Sequence, residues 1–205
     1  LFSKDKKTLI SYPAGKKANS YTVPSSVTVI REYTFSNCTS LTNVIIPASV
    51  TRIGDFGANE TGTAFYFDPA FFGCSSLNTV FYSGTEEDWQ AIEMVADDWE
   101  FLTPKVVFVS SNPADYQFGE TAGTVTKYTG SSANVMIPSE INGVKVTAIG
   151  DSAFQDCASL SMLVLPDSIT AIGSNAFSGC TSLTNVVIPL NVAKIGENAF
   201  TGCDA

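Results

Sequence analysis

The apolar residues of this chain return in a fixed order with a period of 23 residues. Residues 34–47 and 176–189 both read Phe, then Cys three residues later, Leu three further on, two alternate apolar positions, and Pro. Apolar alternation with a period of two predicts a short strand. Proline has no N–H for a strand ladder, so we expect each strand to end there.

Five copies of this cassette carry both of its marker residues. The cysteines are Cys38, Cys74, Cys157, Cys180 and Cys203, and the phenylalanines three residues before them are Phe35, Phe71, Phe154, Phe177 and Phe200. A period of 23 is typical of leucine-rich repeats, in which no single coil can bury its apolar face without stacked neighbours. The pattern predicts stacked coils of short parallel strands with Phe, Leu, Val and Ile inside.

The period is broken in two places. Thirteen extra residues at 55–67 precede Phe71, and we expect them to form a loop on one face of the array. Five extra residues at 142–146 contain Asn142-Gly143, which predicts a tight hairpin turn.

Residues 81–109 depart from the cassette and contain a single helix start. Thr85 is the predicted N-cap, followed by acidic residues in the first turn. We interpret 81–109 as a helix-bearing cap that closes a first array over residues 1–109. Residues 110–115 are the predicted linker, and 116–205 form a second array that stops inside a cassette.

The cassette resembles the BspA-like leucine-rich repeats. Residues 153–173 match Ala-Phe-x-x-Cys-x-x-Leu-x-x-Val-x-Ile-Pro-x-x-Val-x-x-Ile-Gly almost throughout, whereas Thr34 replaces the usual Ala and the 13-residue insertion is a departure. The resemblance implies a right-handed solenoid, mainly of short parallel strands, here with one short helix. It also implies a secreted or surface-attached bacterial protein that adheres to host matrix proteins or other cells.

Composition narrows the partner classes. The formal charge of −9 over 205 residues argues against nucleic acid and against anionic membrane surfaces. No run of 18 apolar residues is present, so we expect no membrane insertion in this chain. The chain begins at Leu1 without a signal peptide, and we interpret it as a piece of a longer protein.

Candidate chemistry is sparse. The chain has no histidine, which removes the usual general base near neutral pH, and we predict neither catalytic residues nor a cofactor. We assign the acidic cluster at 86–88 to helix capping and that at 97–100 to a solvated loop. A calcium site between acidic loops stays an alternative. The cysteines predict a ladder of small buried thiols, with disulfides between neighbouring coils or a metal site as alternatives.

Two sets of apolar residues are candidate partner-binding surfaces. If alternate strand residues point inward, the residues between them point outward, and these are Ile45, Phe81, Val164 and Val187. Such a column would be a contact surface, or it would reflect strand propensity alone. The insertion supplies Phe56, Phe65, Tyr66 and Phe67, which serve either recognition or the covering of a coil edge.

The sequence therefore predicts a non-catalytic module for protein–protein interaction or adhesion at the bacterial surface. Its partner would be an extracellular protein of the host matrix or of another cell. A glycan-binding module, with the aromatic insertion stacking on sugars, is the first alternative. A spacer or targeting segment of a larger multidomain protein is the second.

Overall fold

The computed structural model describes residues 1–58, 65–119 and 122–204, with the backbone alone described at 56–58 and 65–67. The contacts divide the chain into two units, Leu1–Phe108 and Val109–Ala205. In both units the regular secondary structure of the described residues consists mainly of short strands, as expected for stacked repeats.

The first unit contains two parallel sheets. Their strands are β1 (Thr8–Leu9), β2 (Ser20–Thr22), β3 (Val29–Ile30), β4 (Asn43–Ile46), β5 (Arg52–Ile53), β8 (Thr79–Tyr82), β9 (Glu93–Met94) and β10 (Val106–Phe108). The two remaining strands of this unit, β6 (Asp55–Ala58) and β7 (Phe65–Asp68), pair with each other in the antiparallel direction. The strand orders are β1-β3-β5-β9 and β10-β8-β4-β2. Successive coils thus contribute one strand to each sheet.

The second unit repeats this arrangement. Its strands are β11 (Tyr116–Gly119), β12 (Thr124–Tyr128), β13 (Asn134–Met136), β14 (Glu140–Ile141), β15 (Val144–Lys145), β16 (Ala148–Ile149), β17 (Met162–Val164), β18 (Ala171–Ile172), β19 (Asn185–Val187) and β20 (Lys194–Ile195). The sheets have the orders β11-β12-β16-β18-β20 and β13-β17-β19, and the β11–β12 pair is antiparallel. Within the predicted linker, Ser110 bridges to Val135 and a 3₁₀ turn spans Pro113–Asp115.

Strand register follows the sequence period. Met162 lies opposite Asn185 and Ile172 lies opposite Ile195, in each case 23 residues along the chain. The predicted hairpin turn is confirmed, because Asn142 and Gly143 have φ angles of 53° and 75° between β14 and β15. These angles are the left-handed values that a two-residue hairpin turn requires. The handedness of the coils stays a prediction.

One aromatic ring per coil forms a continuous stack inside each unit. The centroids of Phe35 and Phe71 lie 4.7 Å apart, and Phe177 lies 5.1 Å from both Phe154 and Phe200. Tyr12 and Tyr128 occupy the same position in the preceding coils, at 5.5 Å from Phe35 and 5.0 Å from Phe154 respectively. The residues predicted to point inward belong to the two buried apolar clusters, as Leu41, Val44, Ile46, Leu160 and Ile172 illustrate.

Backbone hydrogen bonds join each coil to the next at these rings. The N–H of Phe35 donates to the carbonyl of Ala70 at 2.9 Å, and the N–H of Phe154 donates to the carbonyl of Ala176 at 2.7 Å. Because a buried N–H without an acceptor is costly, every coil needs acceptors from the coil that follows it.

The first unit ends in a coil of different sequence, which includes helices α1 (Glu86–Gln90) and α2 (Ala96–Leu102). The predicted N-cap is confirmed, because Thr85 and Asp88 form a reciprocal capping box. Strands β9 and β10 of this coil extend the two sheets of the unit.

The acidic segment after α1 corrects the sequence analysis. Residues 97–100 were expected in a solvated loop, but they lie in α2, and the Asp98 side chain is 1% exposed. Its two carboxylate oxygens accept from the N–H of Ala70 at 2.6 Å and of Phe71 at 3.1 Å. Asp98 thus replaces the backbone acceptors that a further repeat would supply to Phe71.

All five cysteines are free thiols, and three of them link neighbouring coils. The Sγ atoms of Cys74, Cys180 and Cys203 donate to the carbonyls of Phe35, Phe154 and Phe177 at 2.9, 3.1 and 3.3 Å. Burial raises the pKa of the Cys74 and Cys180 thiols to about 12.

We expect the cysteines to react with iodoacetamide in two groups at pH 8. Cys38, Cys74 and Cys180 are buried and protonated, so they should react only after denaturation, because the thiolate is the nucleophile. Cys157 and Cys203 are half-buried and should react first, although slowly. Peptide mass spectrometry after timed labelling measures this, and equal rates at all five positions would contradict the buried ladder.

Candidate functional site

The predicted outward column is in register, but most of it is buried. Ile45 pairs with Phe81 in one sheet and Val164 pairs with Val187 in another, so each pair occupies one register position. Ile45, Phe81 and Val164 are 2%, 3% and 2% exposed, and Val187 is half-buried. The expectation that these residues form an exposed row is therefore wrong for three of the four.

The alternation of inward-facing and outward-facing side chains along these strands, on which that expectation was based, does hold. Ile45, Phe81 and Val164 are buried outside the two apolar clusters that contain their strand neighbours, such as Val44, Val80 and Leu163. Parallel sheets are usually covered on both faces, so a residue that points away from the core need not face solvent. A partner-binding role for this column stays untested, and its burial removes the argument for it.

The aromatic insertion forms the β6–β7 hairpin, in which Phe56 lies opposite Phe67 and Gly57 opposite Tyr66. The side chains of Phe56, Phe65, Tyr66 and Phe67 lie outside the described residues, so their recognition role stays a prediction. At the base of the hairpin, the Tyr33 hydroxyl donates to Asp68 Oδ1 at 2.7 Å, which raises the Tyr33 pKa.

The exposed aromatic residue that departs most clearly from the cassette is Phe72. Its side chain is 57% exposed, and it follows the buried ring of Phe71. The residues at the equivalent position of the other cassettes are Ser36, Gln155, Ser178 and Thr201. The fold therefore accepts polar residues at this position, and stacking does not explain an aromatic side chain there.

Phe72 lies at a groove between its turn and helix α2. The lining of the groove also includes Pro69, Gly73, Asp97 and Phe101. Lys105 contacts Phe101 in two ways. Its Nζ atom donates a hydrogen bond to the Phe101 carbonyl and lies 3.9 Å from the centroid of the Phe101 ring. The groove thus combines two accessible aromatic side chains with an exposed carboxylate at Asp97.

Asp98 forms the charged base of this groove. Burial raises its pKa to about 6, an effect that the N–H donors of Ala70 and Phe71 offset in part and the neighbouring Asp97 carboxylate reinforces. Both oxygens already accept backbone hydrogen bonds. The carboxylate therefore has a structural function, and sequence analysis missed it because the cluster resembled an ordinary solvated acidic run.

Two other exposed apolar side chains, Ile188 and Ile195, follow from position rather than from a change in the cassette. Ile188 and Ile195 are 40% and 52% exposed, whereas their equivalents Ile46 and Ile53 are fully buried. Both exposed residues lie in the last described coil, at β19 and β20, and each of these strands pairs on one side only. They do not mark a site, because the equivalent residues of the other coils are apolar as well.

The remaining acidic cluster is structural as well. Asp88 accepts from the backbone N–H and the hydroxyl of Thr85, and these bonds lower its pKa. Within the described ranges, no group of three or more His, Cys, Asp or Glu side chains is arranged to hold a metal ion. Over the same part of the chain, no helix has the length and apolar character needed to cross a membrane.

Comparison with known proteins identifies the family. Residues 14–85 and 127–205 match the BspA type leucine rich repeat region, in six copies. The chain belongs to this family, as the cassette indicates. None of the curated proteins matches the sequence.

Several solved structures are similar in sequence. A leucine rich cell surface protein from Faecalibacterium prausnitzii A2-165 is 26% identical over 99% of this chain and 50% of its own, with a TM-score of 0.34. The leucine rich repeat protein of T. pallidum is 23% identical over 99% and 85%, with a TM-score of 0.32. A leucine-rich repeat protein from Eubacterium ventriosum is 22% identical over 98% and 47%, with a TM-score of 0.30. The chain spans about half the length of the first and third of these proteins.

The raised pKa of Asp98 predicts that this side chain stabilises the first unit more in acid than at neutral pH. A carboxyl whose folded-state pKa lies above its unfolded value of 3.8 binds its proton more tightly in the folded state. Its contribution is fully present below about pH 4 and is lost as pH rises through about 6. The contribution of Asp98 to the free energy of unfolding should fall by about 3 kcal/mol over this window, at roughly 1.4 kcal/mol per pKa unit.

Urea titrations followed by tryptophan fluorescence measure this, since both tryptophans, Trp89 and Trp99, lie in the first unit. Asp98→Asn is the control because it cannot titrate, and the difference in stability between wild type and variant should therefore depend on pH. A difference that is constant from pH 4 to pH 7 would contradict the assignment.

Proposed function

We propose that the chain is a non-catalytic protein-binding module of a secreted or surface-attached bacterial protein. Through it, the parent protein would adhere to an extracellular protein of the host matrix or of another cell. The surface location rests on the family resemblance, and the contact site rests on the geometry of the first unit.

The observation that carries the proposal is the exposed ring of Phe72 at a groove that is also lined by Phe101, Asp97 and Asp98. Aromatic residues dominate the energetics of protein interfaces when they bury their rings against a partner. Phe101 lies beside Phe72 in the lining, and the α2 backbone beneath is fixed through the hydrogen bonds of Asp98. A partner side chain would meet a preformed surface and lose little freedom of its own in binding.

A non-catalytic function is supported by the roles of the acidic residues. The chain contains no histidine. Asp88 caps α1 and Asp98 caps the end of the first stack, so these two carboxylates have structural partners. Recognition by an extended, rigid surface is also what stacked repeats provide.

Phe72→Ser tests the proposal with little risk to the fold, because Ser is the residue of the equivalent positions Ser36 and Ser178. We expect wild type to bind saturably to one member of a panel of immobilised collagen, laminin, vitronectin and mucin. Binding should resist a rise from 0.15 to 0.5 M NaCl, because apolar contacts are not screened. The variant should bind at least tenfold more weakly at unchanged stability.

Gln155→Ser is the matched control, since it changes the same cassette position in the second unit and should leave affinity unaltered. Biolayer interferometry gives the affinities, and urea unfolding gives the stabilities. If Phe72→Ser binds as wild type does, the groove is not the contact site. If wild type binds none of the four proteins, a spacer role replaces the proposal.

A further inference from the structure

The positive charge of the chain is concentrated in one coil of the first unit. Residues 1–31 carry six Lys or Arg and one Asp, whereas the rest of the chain carries five basic and nineteen acidic residues. Five of the six lie within residues 4–17, here called the basic coil. They are Lys4, Lys6, Lys7, Lys16 and Lys17, and all five are exposed.

The backbone of the basic coil is ordered by hydrogen bonds. In one turn the N–H of Lys6 donates to the Ser3 carbonyl at 3.0 Å, and in the other the N–H of Lys16 donates to the Pro13 carbonyl at 3.0 Å. The next coil fixes the first turn, because the Thr28 N–H donates to the Lys7 carbonyl at 2.8 Å. The lysines therefore extend from a fixed frame, on two turns of the same coil.

These lysines form no ion pair within the described ranges, although Asp5 lies close enough to Lys7 for electrostatic attraction. Among the described residues, the ion pairs involve Arg31 and Arg52, and none of them includes a lysine of the basic coil. Asp5, the one acidic residue of this coil, accepts from the Ser3 hydroxyl at 2.6 Å and the Lys7 N–H at 3.1 Å. Like charges repel one another, so neighbours such as Lys6 and Lys7 gain no stability from each other's charge.

The repeat does not require lysine at these positions. Thr28 and Thr51 occupy the place of Lys7 in the next two coils, since the carbonyls of Lys7 and Thr28 accept the same pair of backbone bonds. Lys16-Lys17 correspond to Thr39-Ser40, Ser75-Ser76, Ala158-Ser159 and Thr181-Ser182 in four of the cassettes that carry a cysteine. Small uncharged residues are thus sufficient for the fold. Lys16 has a structural contact, with its Nζ atom 5.5 Å from the Tyr12 ring centroid, and this contact does not explain a group of five lysines.

We propose that the basic coil binds an anionic polysaccharide, a linear chain that carries carboxylate or sulfate groups at short intervals. Lysine is a mobile point charge, which suits such groups, whereas a dedicated phosphate clamp more often uses the planar fork of arginine. The two lysine turns lie on one coil, and a coil is about 4.8 Å thick, so the surface fits a thin strand.

A duplex nucleic acid or an anionic bilayer fits this surface less well. Both are broad, and both would bring dense negative charge close to acidic residues of the next coils of the first unit, since repulsion acts over about 8 Å at physiological salt. A flexible single polysaccharide chain can follow the basic coil and leave the acidic surfaces. The proposed site lies in a different coil from the Phe72 groove and does not depend on the protein-binding function.

The test compares two triple variants with the same net charge. Lys7→Thr, Lys16→Thr and Lys17→Ser convert the basic coil to cassette residues, whereas Lys127→Thr, Lys145→Thr and Lys194→Thr remove three exposed lysines of the second unit. Heparin and hyaluronan are the probes, with neutral dextran as the blank. We expect wild type and the second-unit variant to bind heparin alike, and the basic-coil variant to bind at least tenfold more weakly.

Affinities should be measured by isothermal titration calorimetry between 0.05 and 0.3 M NaCl, where release of counterions predicts a steep loss with salt. Equal losses in both variants would assign binding to overall charge and overturn the site. Tighter binding to duplex DNA or to phosphatidylserine vesicles would overturn the choice of polysaccharide. Self-association of the basic-coil variant in light scattering, with heparin binding unchanged, would assign the lysines to protection of a strand edge instead. No matrix protein is present in these assays, so their outcome is independent of the Phe72 experiment.

Discussion

Every coil of this protein depends on its neighbour for the acceptors of its buried backbone N–H groups. The bonds from Phe35 to Ala70 and from Phe154 to Ala176 meet this need with main-chain carbonyls. At the end of the first unit, the Asp98 carboxylate supplies the acceptors instead. That substitution buries a charge, and the raised pKa of Asp98 measures the resulting desolvation. The aromatic stack, the thiol ladder and the sheets all follow the same coil-to-coil spacing.

This dependence makes departures from the cassette informative. A residue that recurs at every coil is explained by stacking, as the exposed Ile188 and Ile195 show, because their equivalents are buried wherever a further coil covers them. A residue that differs from its equivalents lacks that explanation. Phe72 and the lysines of the basic coil differ in this sense, since hydroxyl residues occupy their positions in neighbouring coils. Both departures change the chemistry of the surface and leave the stack intact.

The distribution of charge along the chain shows why its net charge alone does not predict its binding partners. The net charge of −9 argues against polyanions as partners, yet six of the eleven basic residues lie in the first 31 positions. Arg31 and Arg52 form ion pairs, whereas in the described part of the chain the lysines of the basic coil form none, and Asp5 is the one acid among them. Electrostatic attraction acts over about one screening length, so the local pattern decides what a given coil attracts.

Periodic and local features were determined by the sequence alone. The period predicts which strands pair, which residues fill the core and where the rings stack, because every coil buries its apolar residues against its neighbours in the same way. Local chemistry predicts the Thr85 cap and the Asn142-Gly143 turn, since both rest on contacts within a few residues.

Only the tertiary structure decided the features that depend on distant contacts. Alternation indicates that Ile45 points away from the core, but its 2% exposure depends on what covers the second face of the sheet. The acidic run at 97–100 carries no local sign that Asp98 will be buried, because its partners Ala70 and Phe71 lie more than 25 residues earlier. Whether a single side chain is buried depends on which coils and helices pack around it. The repeating sequence pattern predicts this packing only for residues that recur in every coil.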